Sequence, residues 1–195
     1  MQEAKNVFRS QILKLIRGQE KNKLMKWDEQ LRALLFSLVN DLLVQRSNQN
    51  QKCIIGGFSS LDDEVSWELG FPHQDQLSYP VVDQDDLIFR RSDLSDLKEQ
   101  VLFGRTFKVP SSDKEIVTPD ILIIPGVAFS ARGERLGRGK GFYDRYLKNF
   151  SGTRIGICYE LQLLDKLPSN NQDENVQYVI TNQRIIDCSK NRTGD

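Results

Sequence analysis

The sequence predicts an α/β fold, with a three-layer α/β/α arrangement around a mainly parallel central sheet. Short apolar segments typical of strands alternate along the chain with amphipathic segments typical of helices. The clearest unit runs from a strand at 120–124 through a helix at 142–150 to a strand at 154–158. This order favours parallel pairing with a right-handed crossover. Ligands of such folds bind at the carboxyl ends of the strands.

The chain is expected to form one domain over 1–190, followed by a disordered tail over 191–195. Its 195 residues suit a single hydrophobic core. No linker, repeat or low-complexity segment divides the sequence, and polar terminal residues often fray.

The first predicted helix covers 3–17, and two of its cations allow two interpretations. Its apolar face consists of large side chains at helical spacing: Phe8, Ile12, Leu15 and Ile16. At roughly 100° per residue, Lys5 falls inside this apolar arc and Arg9 at its edge. Either both cations extend past the core to solvent, or they extend over the body of the protein toward a bound anion.

The remaining elements follow in order along the chain. A second helix over 27–45 carries a stripe of leucines that predicts a buried face. Apolar clusters between turn residues predict strands at 53–58, 77–82 and 87–91, a last full strand at 176–181 and an edge strand at 184–187. Short helices are expected at 94–102, from Leu161 with an end at Pro168, and from Ser60, where Asp62, Asp63 and Glu64 suit the helix dipole.

Composition narrows the classes of function. Lys and Arg together number 27, as do Asp and Glu, whereas a protein that binds nucleic-acid backbone usually carries a basic excess. A small anionic ligand is therefore favoured over nucleic acid. The single histidine, His73, lies in a polar segment, which argues against histidine triads and His-rich metal sites.

Cysteine usage and hydropathy predict the compartment. Cys53, Cys158 and Cys188 lack the spacing of a zinc site or a disulfide framework. The first residues lack the apolar stretch of a signal peptide, and no apolar run is long enough to span a bilayer. A cytoplasmic protein with no membrane partner is expected.

The segment from Arg132 to Gly141 is the strongest candidate for a binding site. It places four glycines (Gly133, Gly137, Gly139 and Gly141) among four cations (Arg132, Arg135, Arg138 and Lys140). Glycine lets backbone N–H groups approach an anion closely, and the start of the next helix adds partial positive charge. The spacing is neither that of a P-loop nor that of a dinucleotide fingerprint. A general anion-binding loop is predicted, and a solvated basic surface loop is the alternative.

Asp144 lies in the first turn of the helix that follows this loop. A carboxylate there suits the helix dipole, and a carboxylate beside bound phosphates is also where Mg²⁺ is held. Asp173 would supply a second carboxylate if its polar loop folds over the site.

Two segments carry a family resemblance. Residues 125–129 (PGVAF) and 135–147 (RLGRGKGFYDRYL) resemble the signature of the 5-formyltetrahydrofolate cyclo-ligases, also called 5,10-methenyltetrahydrofolate synthetases. Residues elsewhere match the family's outlying positions: Lys5, Arg9, Glu64 and Asp173. The resemblance implies a ligase that uses Mg·ATP to convert 5-formyltetrahydrofolate to 5,10-methenyltetrahydrofolate, releasing ADP and phosphate through a phosphorylated formyl (iminium phosphate) intermediate. Phosphoryl transfer depends on positioning and charge neutralisation, which suits a site poor in histidine.

The same resemblance implies roles for individual residues. ATP would be bound by Lys5, Arg9, Arg135, Leu136, Gly137, Arg138, Gly139, Lys140, Gly141, Phe142 and Tyr143. Arg138 and Lys140 would lie nearest to the transferred phosphoryl group and act in catalysis. Mg²⁺ would be held by Asp144 and Asp173. The folate would contact Ser59, Glu64, Phe107, Arg138, Gly139, Lys140, Gly141 and Phe142.

The sequence departs from the family's pattern at Ser59, Phe107, Ser130 and Gln177. The family usually has an apolar residue near the first of these, against the pterin, and often a tryptophan at the second. A non-catalytic relative that binds folate or nucleotide is therefore an alternative. An RNA-binding protein is a third, which zero net charge disfavours. A monomer acting on a small molecule is expected.

Overall fold

The computed structural model of the protein describes residues 2–46, 52–168 and 174–191. Within these ranges three α-helices are present: α1 (Gln2–Arg17), α2 (Lys21–Arg46) and α3 (Phe142–Lys148). The strands are β1 (Ile55–Gly56), β2 (Leu77–Asp83), β3 (Asp86–Arg91), β4 (Lys98–Leu102), β5 (Arg105–Val109), β6 (Ile116–Val117), β7 (Ile121–Pro125), β8 (Ala128–Ser130), β9 (Arg135–Leu136), β10 (Thr153–Ile157), β11 (Leu163–Leu164), β12 (Tyr178–Ile180) and β13 (Ile185–Asp187). Most of the predicted tail, 192–195, lies outside the described ranges.

The central sheet is mainly parallel, as predicted. Eight strands of the described chain form it in the order β13-β12-β10-β7-β1-β2-β3-β6. The five from β12 to β2 run parallel to one another, whereas β13, β3 and β6 pair antiparallel at the edges. β7, α3 and β10 form the predicted parallel unit, in which Ile121 pairs with Thr153 and Pro125 with Ile157.

The side chains of β7 alternate between two hydrophobic layers. Ile121 and Ile123 pack in the core that contains α1 and α2, whereas Leu122 and Ile124 pack in the core that contains α3. All four are fully buried. Because successive strand side chains point to opposite faces, a continuous apolar run marks a strand that is covered on both sides. The three-layer α/β/α arrangement is therefore confirmed.

Helix α2 buries part of its predicted leucine stripe. Leu31, Leu35 and Leu42 are buried together with Val39, and Leu38 packs at the margin of the same core. Within the described ranges, no helix combines the length and the hydropathy needed to cross a membrane.

Strands β4 and β5 form a hairpin outside the central sheet, and the helix predicted at 94–102 is wrong. Leu94–Asp96 is a single 3₁₀ turn, after which β4 pairs antiparallel with β5. The connection between the strands has positive φ at Phe103 (52°) and Gly104 (72°), as in a type I′ turn. Cross-strand partners supply the backbone hydrogen bonds that a helix would supply locally.

The short helix predicted from Ser60 is also absent. Leu61 to Glu64 form a turn, in which Glu64 N donates to Leu61 O at 2.9 Å. Two of the three acidic side chains that suggested a helix start, Asp63 and Glu64, instead contact arginines of other elements. The short helix predicted from Leu161 to Pro168 is likewise wrong: a 3₁₀ turn at Glu160–Gln162 is followed by β11, which pairs with β8.

A further hairpin, β8 and β9, follows β7 and includes the first part of the glycine-rich segment. β8 pairs antiparallel with β9, and Val127 N donates to Leu136 O at 2.8 Å. The segment over 137–141, here called the glycine loop, therefore leaves from the end of β9. This hairpin places the loop beyond the carboxyl end of β7.

Candidate active site

A cleft with a volume of about 530 Å³ opens at the carboxyl ends of β1 and β7. Phe58 and Ser59 line it after β1, and Gly126 and Val127 line it after β7. The start of α1, the β4–β5 hairpin, the glycine loop and α3 form its remaining walls. The cleft thus lies at the edge of the sheet where ligands of parallel α/β folds bind.

The cleft is strongly cationic although the chain as a whole is neutral. In the described part of the chain, its lining contains two carboxylates, Glu64 and Asp144, and nine cations: Lys5, Arg9, Arg105, Lys108, Arg135, Arg138, Lys140, Arg145 and Lys148. A cleft lined by one sign of charge raises the local concentration of ligands of the opposite sign. The lining therefore suits a ligand that carries several negative charges.

The residues predicted for the site meet on this cleft, except Asp173, which lies outside the described ranges. The lining contains Lys5, Arg9, Ser59, Glu64, Phe107, Arg135, Leu136, Gly137, Arg138, Gly139, Lys140, Gly141, Phe142, Tyr143 and Asp144. They come from α1, the segment after β1, β5, β9, the glycine loop and α3. Residues more than a hundred positions apart in sequence thus lie around one cavity.

Helix α1 contacts the glycine loop directly. Arg9 Nε donates to Gly137 O at 2.8 Å, and Lys5 is buried on the wall of the cleft. The interpretation that both cations extend past the core to solvent is therefore wrong. Gly139 has a φ of 98°, which side chains other than glycine rarely adopt. A Cβ at this position would also lie 3.4 Å from the Arg9 guanidinium carbon.

Arg135 and Asp144 form an ion pair at the base of the loop. Arg135 Nη2 donates to Asp144 Oδ1 at 2.6 Å, and the Arg135 side chain is only 4% exposed. The guanidinium carbon also lies 5.6 Å from the centre of the Tyr143 ring. The pair joins β9 to the first turn of α3 and turns the Asp144 carboxylate toward the cleft.

The hydroxyl of Tyr143 is buried and has no hydrogen-bond partner within the described ranges. Burial raises the pKa of this phenol, and the Glu64 carboxylate adds to the rise, so the group is a neutral donor. Tyr143 lines the cleft. A buried hydroxyl without a partner costs free energy, which is recovered if a polar ligand accepts from it.

Arg138 is held by two acidic residues of the turn after β1. Its Nε donates to Glu64 Oε1 at 2.8 Å, and its Nη2 donates to Asp63 Oδ1. Glu64 Oε2 also accepts from Leu61 N at 3.1 Å. Burial would raise the pKa of Asp63, but hydrogen bonds from Arg17 and Arg138 outweigh burial and lower it. Asp63 is therefore an anionic partner of Arg138.

The sequence model of the 5-formyltetrahydrofolate cyclo-ligase family matches residues 76–182. The chain belongs to this family. The matched segment includes the β4–β5 hairpin, the glycine loop and α3, and hence most of the walls of the cleft.

Curated cyclo-ligases match the chain over part of their length. The 5-formyltetrahydrofolate cyclo-ligase of Escherichia coli K12 is 39% identical over 83 residues, which cover 39% of this chain and 46% of that protein. The Haemophilus influenzae cyclo-ligase is 44% identical over 57 residues, which cover 28% of this chain and 30% of that protein. The chain thus aligns with less than half of the length of these relatives.

Two solved 5,10-methenyltetrahydrofolate synthetases share the fold over nearly the whole chain. The NMR structure of the Aquifex aeolicus protein superposes with a TM-score of 0.75 at 24% identity and covers 98% of this chain and 94% of that one. The Mycoplasma pneumoniae protein gives a TM-score of 0.70 at 23% identity, with 91% and 98% coverage. The architecture of this cyclo-ligase family member is therefore that of known synthetases.

Part of the cleft of this cyclo-ligase family member was not predicted from the sequence. Phe103 lies at the tip of the β4–β5 hairpin, and its ring centre is 5.7 Å from that of Phe142. The Lys140 ammonium lies 4.6 Å from the centre of the Phe103 ring. Arg105 and Lys108 of the same hairpin also line the cleft. The signal that could have revealed the hairpin is the Phe103–Gly104 turn between two segments with alternating polarity.

Proposed function

We propose that the protein converts 5-formyltetrahydrofolate to 5,10-methenyltetrahydrofolate with ATP and releases ADP and phosphate. The observation that carries this proposal is the meeting of the family's signature residues with Lys5, Arg9 and Glu64 on one cationic cleft. A cleft with nine cations suits the two anionic reactants, since ATP and the carboxylates of folate both need compensating charge.

ATP is proposed to occupy the part of the cleft between α1 and the glycine loop. Lys5, Arg9 and the residues of Arg135 to Tyr143 would contact its phosphates and nucleoside. Oriented cations and backbone N–H groups stabilise phosphate without further reorganisation during reaction. Arg138 and Lys140 would neutralise the charge that develops on the transferred phosphoryl group.

The proposed reaction has two steps. In the first, the formyl oxygen attacks the γ-phosphorus of ATP and the bond to ADP breaks, which gives an iminium phosphate at N5. In the second, N10 attacks the formyl carbon and loses its proton, the carbon–oxygen bond breaks, and phosphate leaves with the former formyl oxygen. Neither step needs a nucleophilic side chain, because positioning and charge neutralisation suffice.

Mg²⁺ is proposed to arrive with the nucleotide. Asp144 lines the cleft with one oxygen paired to Arg135, and the described ranges contain no group of three or more acidic, histidine or cysteine residues that could hold a metal. Mg²⁺ is commonly held by one or two carboxylates together with phosphate oxygens. Asp144 therefore fits such an ion, with Asp173 as the second proposed ligand, and the ion would offset phosphate charge.

The folate is proposed to bind against the hairpin side of the cleft. Glu64 would hydrogen-bond the pterin, with Ser59 and Phe107 beside it and the loop residues Arg138 to Phe142 facing the formyl group. The buried hydroxyl of Tyr143 is available as a donor to the same region. A cytoplasmic monomer without nucleic-acid or membrane partners completes the proposal.

The assay that tests the function follows the methenyl chromophore. Purified protein mixed with Mg·ATP and 5-formyltetrahydrofolate should show its absorbance rise, with one ADP released per product. Folded protein that binds ATP but produces no chromophore would contradict the proposal.

Lys140→Ala tests the role of the glycine loop in this reaction. We expect kcat to fall by about 10²–10³-fold, because a cation at the developing charge is lost. Thermal stability should change little, because Lys140 is exposed. Lys26→Ala, at an exposed position of α2 away from the cleft, is the matched control and should leave kcat unchanged.

A non-catalytic relative that binds folate or nucleotide is the second candidate. Ser59 and Phe107 favour it, because both line the cleft at positions where the family usually has other residues. Saturable binding of 5-formyltetrahydrofolate with no coupled ATP hydrolysis would support it over the enzyme.

A further inference from the structure

Asp63 is a buried carboxylate on which arginines of three different elements converge. Arg17 of α1 contacts its Oδ2 at 2.7 Å, and Arg105 of β5 lies 3.7 Å from its Oδ1. Arg138 of the glycine loop donates to the same Oδ1. The Asp63 side chain is only 6% exposed. Its ionised form is therefore stabilised by these three arginines and not by solvent.

Asp63 and its neighbour Glu64 accept from different nitrogens of Arg138, Nη2 and Nε respectively. Glu64 and Arg138 line the cleft, whereas Asp63 does not. With a side chain that is 6% exposed, Asp63 contacts Arg138 without bordering the space that a ligand would fill. Glu64 can therefore contact a ligand directly, whereas Asp63 can act only through Arg138.

The guanidinium of Arg138 needs an acidic partner to hold its position, because the backbone at Arg138 is flanked by glycines and does little to restrict it. It lies between Gly137 and Gly139, and glycine leaves the chain conformationally permissive. A long arginine side chain also has many rotamers. Charge-assisted hydrogen bonds to a planar guanidinium restrict both its position and its orientation.

We propose that Asp63 is a positioning residue for the phosphoryl-transfer reaction. It holds Arg138 in place when Glu64 engages the folate, and through Arg17 and Arg105 it ties the glycine loop to α1 and to the β4–β5 hairpin. This inference rests on the proposed function, since Arg138 is assigned there to the transferred phosphoryl group.

Asp63→Asn keeps the size of the side chain and removes its charge. We expect kcat to fall by about 10–100-fold, because misplacement of a catalytic group by about 1 Å has effects of this size. Asp62→Asn is the matched control, because Asp62 is the adjacent acid, is exposed and does not line the cleft. Its kcat should stay within about twofold of the wild type, as for most surface substitutions.

A double-mutant cycle with Arg138→Gln separates positioning from a general structural effect. If Asp63 acts through Arg138, Asp63→Asn should lower kcat further by less than about twofold in the Arg138→Gln background. A structural role would give the same loss in both backgrounds and would overturn the inference, as would a kcat for Asp63→Asn within twofold of the wild type. Circular dichroism and thermal melts establish that each variant is folded.

A second variant keeps the test decisive if Asp63→Asn does not fold. Asp63→Glu retains the charge and displaces it by one methylene. Its kcat should likewise fall in the wild-type background and change by less than about twofold in the Arg138→Gln background. If neither variant folds, the carboxylate serves folding and the inference is overturned. A wild-type protein without turnover contradicts the proposed function and the inference together, whereas an active wild type with an unaffected Asp63→Asn contradicts the inference alone.

Discussion

Arginine side chains restrict the backbone around the glycine loop. Arg9 binds the carbonyl of Gly137, Arg135 binds Asp144, and Arg138 binds the acids of the turn after β1. The first and third bonds join the loop to α1 and to the turn after β1, and the second joins the two elements that flank the loop, β9 and α3. The glycines give the loop its conformation, and these contacts limit the freedom that glycine would otherwise leave.

Glu68 shows how a single buried acid supports the turn that carries Ser59 and Glu64. Ser60 N donates to Glu68 Oε1 at 3.1 Å, and the Ser60 hydroxyl lies 2.7 Å from Val65 O and 2.9 Å from Glu68 Oε2. One hydroxyl hydrogen cannot serve both oxygens. A protonated Glu68 resolves this, because its own O–H can donate to Ser60 Oγ. Burial likewise raises the pKa of Glu68, against the hydrogen bonds from Ser60.

The raised pKa of Glu68 predicts a loss of stability as pH rises above the pKa of the group in the unfolded chain. The unfolded state releases this proton above about pH 4.3, whereas the folded state retains it to higher pH. The contribution is therefore full below that pH and declines as pH rises through the folded pKa. Glu68→Gln should melt at or above the wild-type temperature at pH 8, and its stability should depend less on pH between 5 and 8.

Melting curves in a pH series measure this effect. Glu29→Gln, at an exposed position of α2, is the control and should follow the wild type. Asp28 also has a pKa raised by burial, so some dependence should persist in Glu68→Gln. A wild-type slope that survives unchanged in Glu68→Gln would contradict the protonated state.

At the scale of elements, Arg154 anchors helix α3. Its Nη2 donates to Leu147 O and Phe150 O, each at 2.7 Å, and its Nη1 donates to Glu174 Oε2 at 3.0 Å. A cation at the end of a helix satisfies carbonyls that have no partner within the helix. Arg154 thereby ties the carboxyl end of α3, the helix that follows the glycine loop, to β10.

Arg154→Ala should lower the free energy of unfolding by about 2–4 kcal/mol, because partly buried charge-assisted bonds are lost and their acceptors are left unpaired. Urea unfolding measures the change. Arg184→Ala is the control, because Arg184 is 59% exposed in its ion pair with Glu160, and exposed pairs contribute about 1 kcal/mol or less. Equal losses for the two variants would refute the anchoring role.

The β4–β5 hairpin carries a side chain in an unfavourable backbone conformation. Phe103 has a φ of 52° and is 55% exposed, yet its ring contacts Phe142 and Lys140. Positive φ is costly for a bulky residue, and Asn followed by Gly is preferred in such turns. The contact with the glycine loop therefore coincides with local strain.

Phe103→Asn should separate turn stability from ligand binding. We expect a melting temperature equal to or up to about 4 °C above the wild type, because strain of about 1 kcal/mol is relieved. The KM for a cleft ligand should rise severalfold because an aromatic wall is lost. Val101→Thr, on the same hairpin but outside the cleft, should change neither. An unchanged KM in Phe103→Asn would exclude the hairpin tip from ligand binding.

At the scale of the whole molecule, the cleft exists only because distant segments meet at one edge of the sheet. Its positive charge comes from residues of α1, the hairpin, β9, the glycine loop and α3. The chain as a whole is nevertheless neutral. Within the described ranges Asp144 is the one carboxylate that we propose as a ligand of Mg²⁺. Metal binding should accordingly depend on the nucleotide.

Mg²⁺ alone should therefore raise the melting temperature by no more than about 1 °C, whereas Mg·ATP at about 100 times its Kd should raise it by about 5–10 °C. Differential scanning fluorimetry with Mg²⁺, ATP plus a chelator, and Mg·ATP separates the contributions. Asp144→Asn should reduce the difference between ATP with and without Mg²⁺. A large shift with Mg²⁺ alone would contradict arrival of the ion with the nucleotide.

The sequence by itself determined the layered α/β fold, the glycine loop and the family, because these depend on local patterns. A continuous apolar run marks a doubly covered strand, as in β7, and a motif of consecutive residues needs no long-range information. The tertiary structure decided the β4–β5 hairpin, the absence of a helix after Ser60 and the arginine contacts of Asp63. These depend on partners that are distant in sequence, such as Arg138 for Asp63, and no local pattern encodes such pairs.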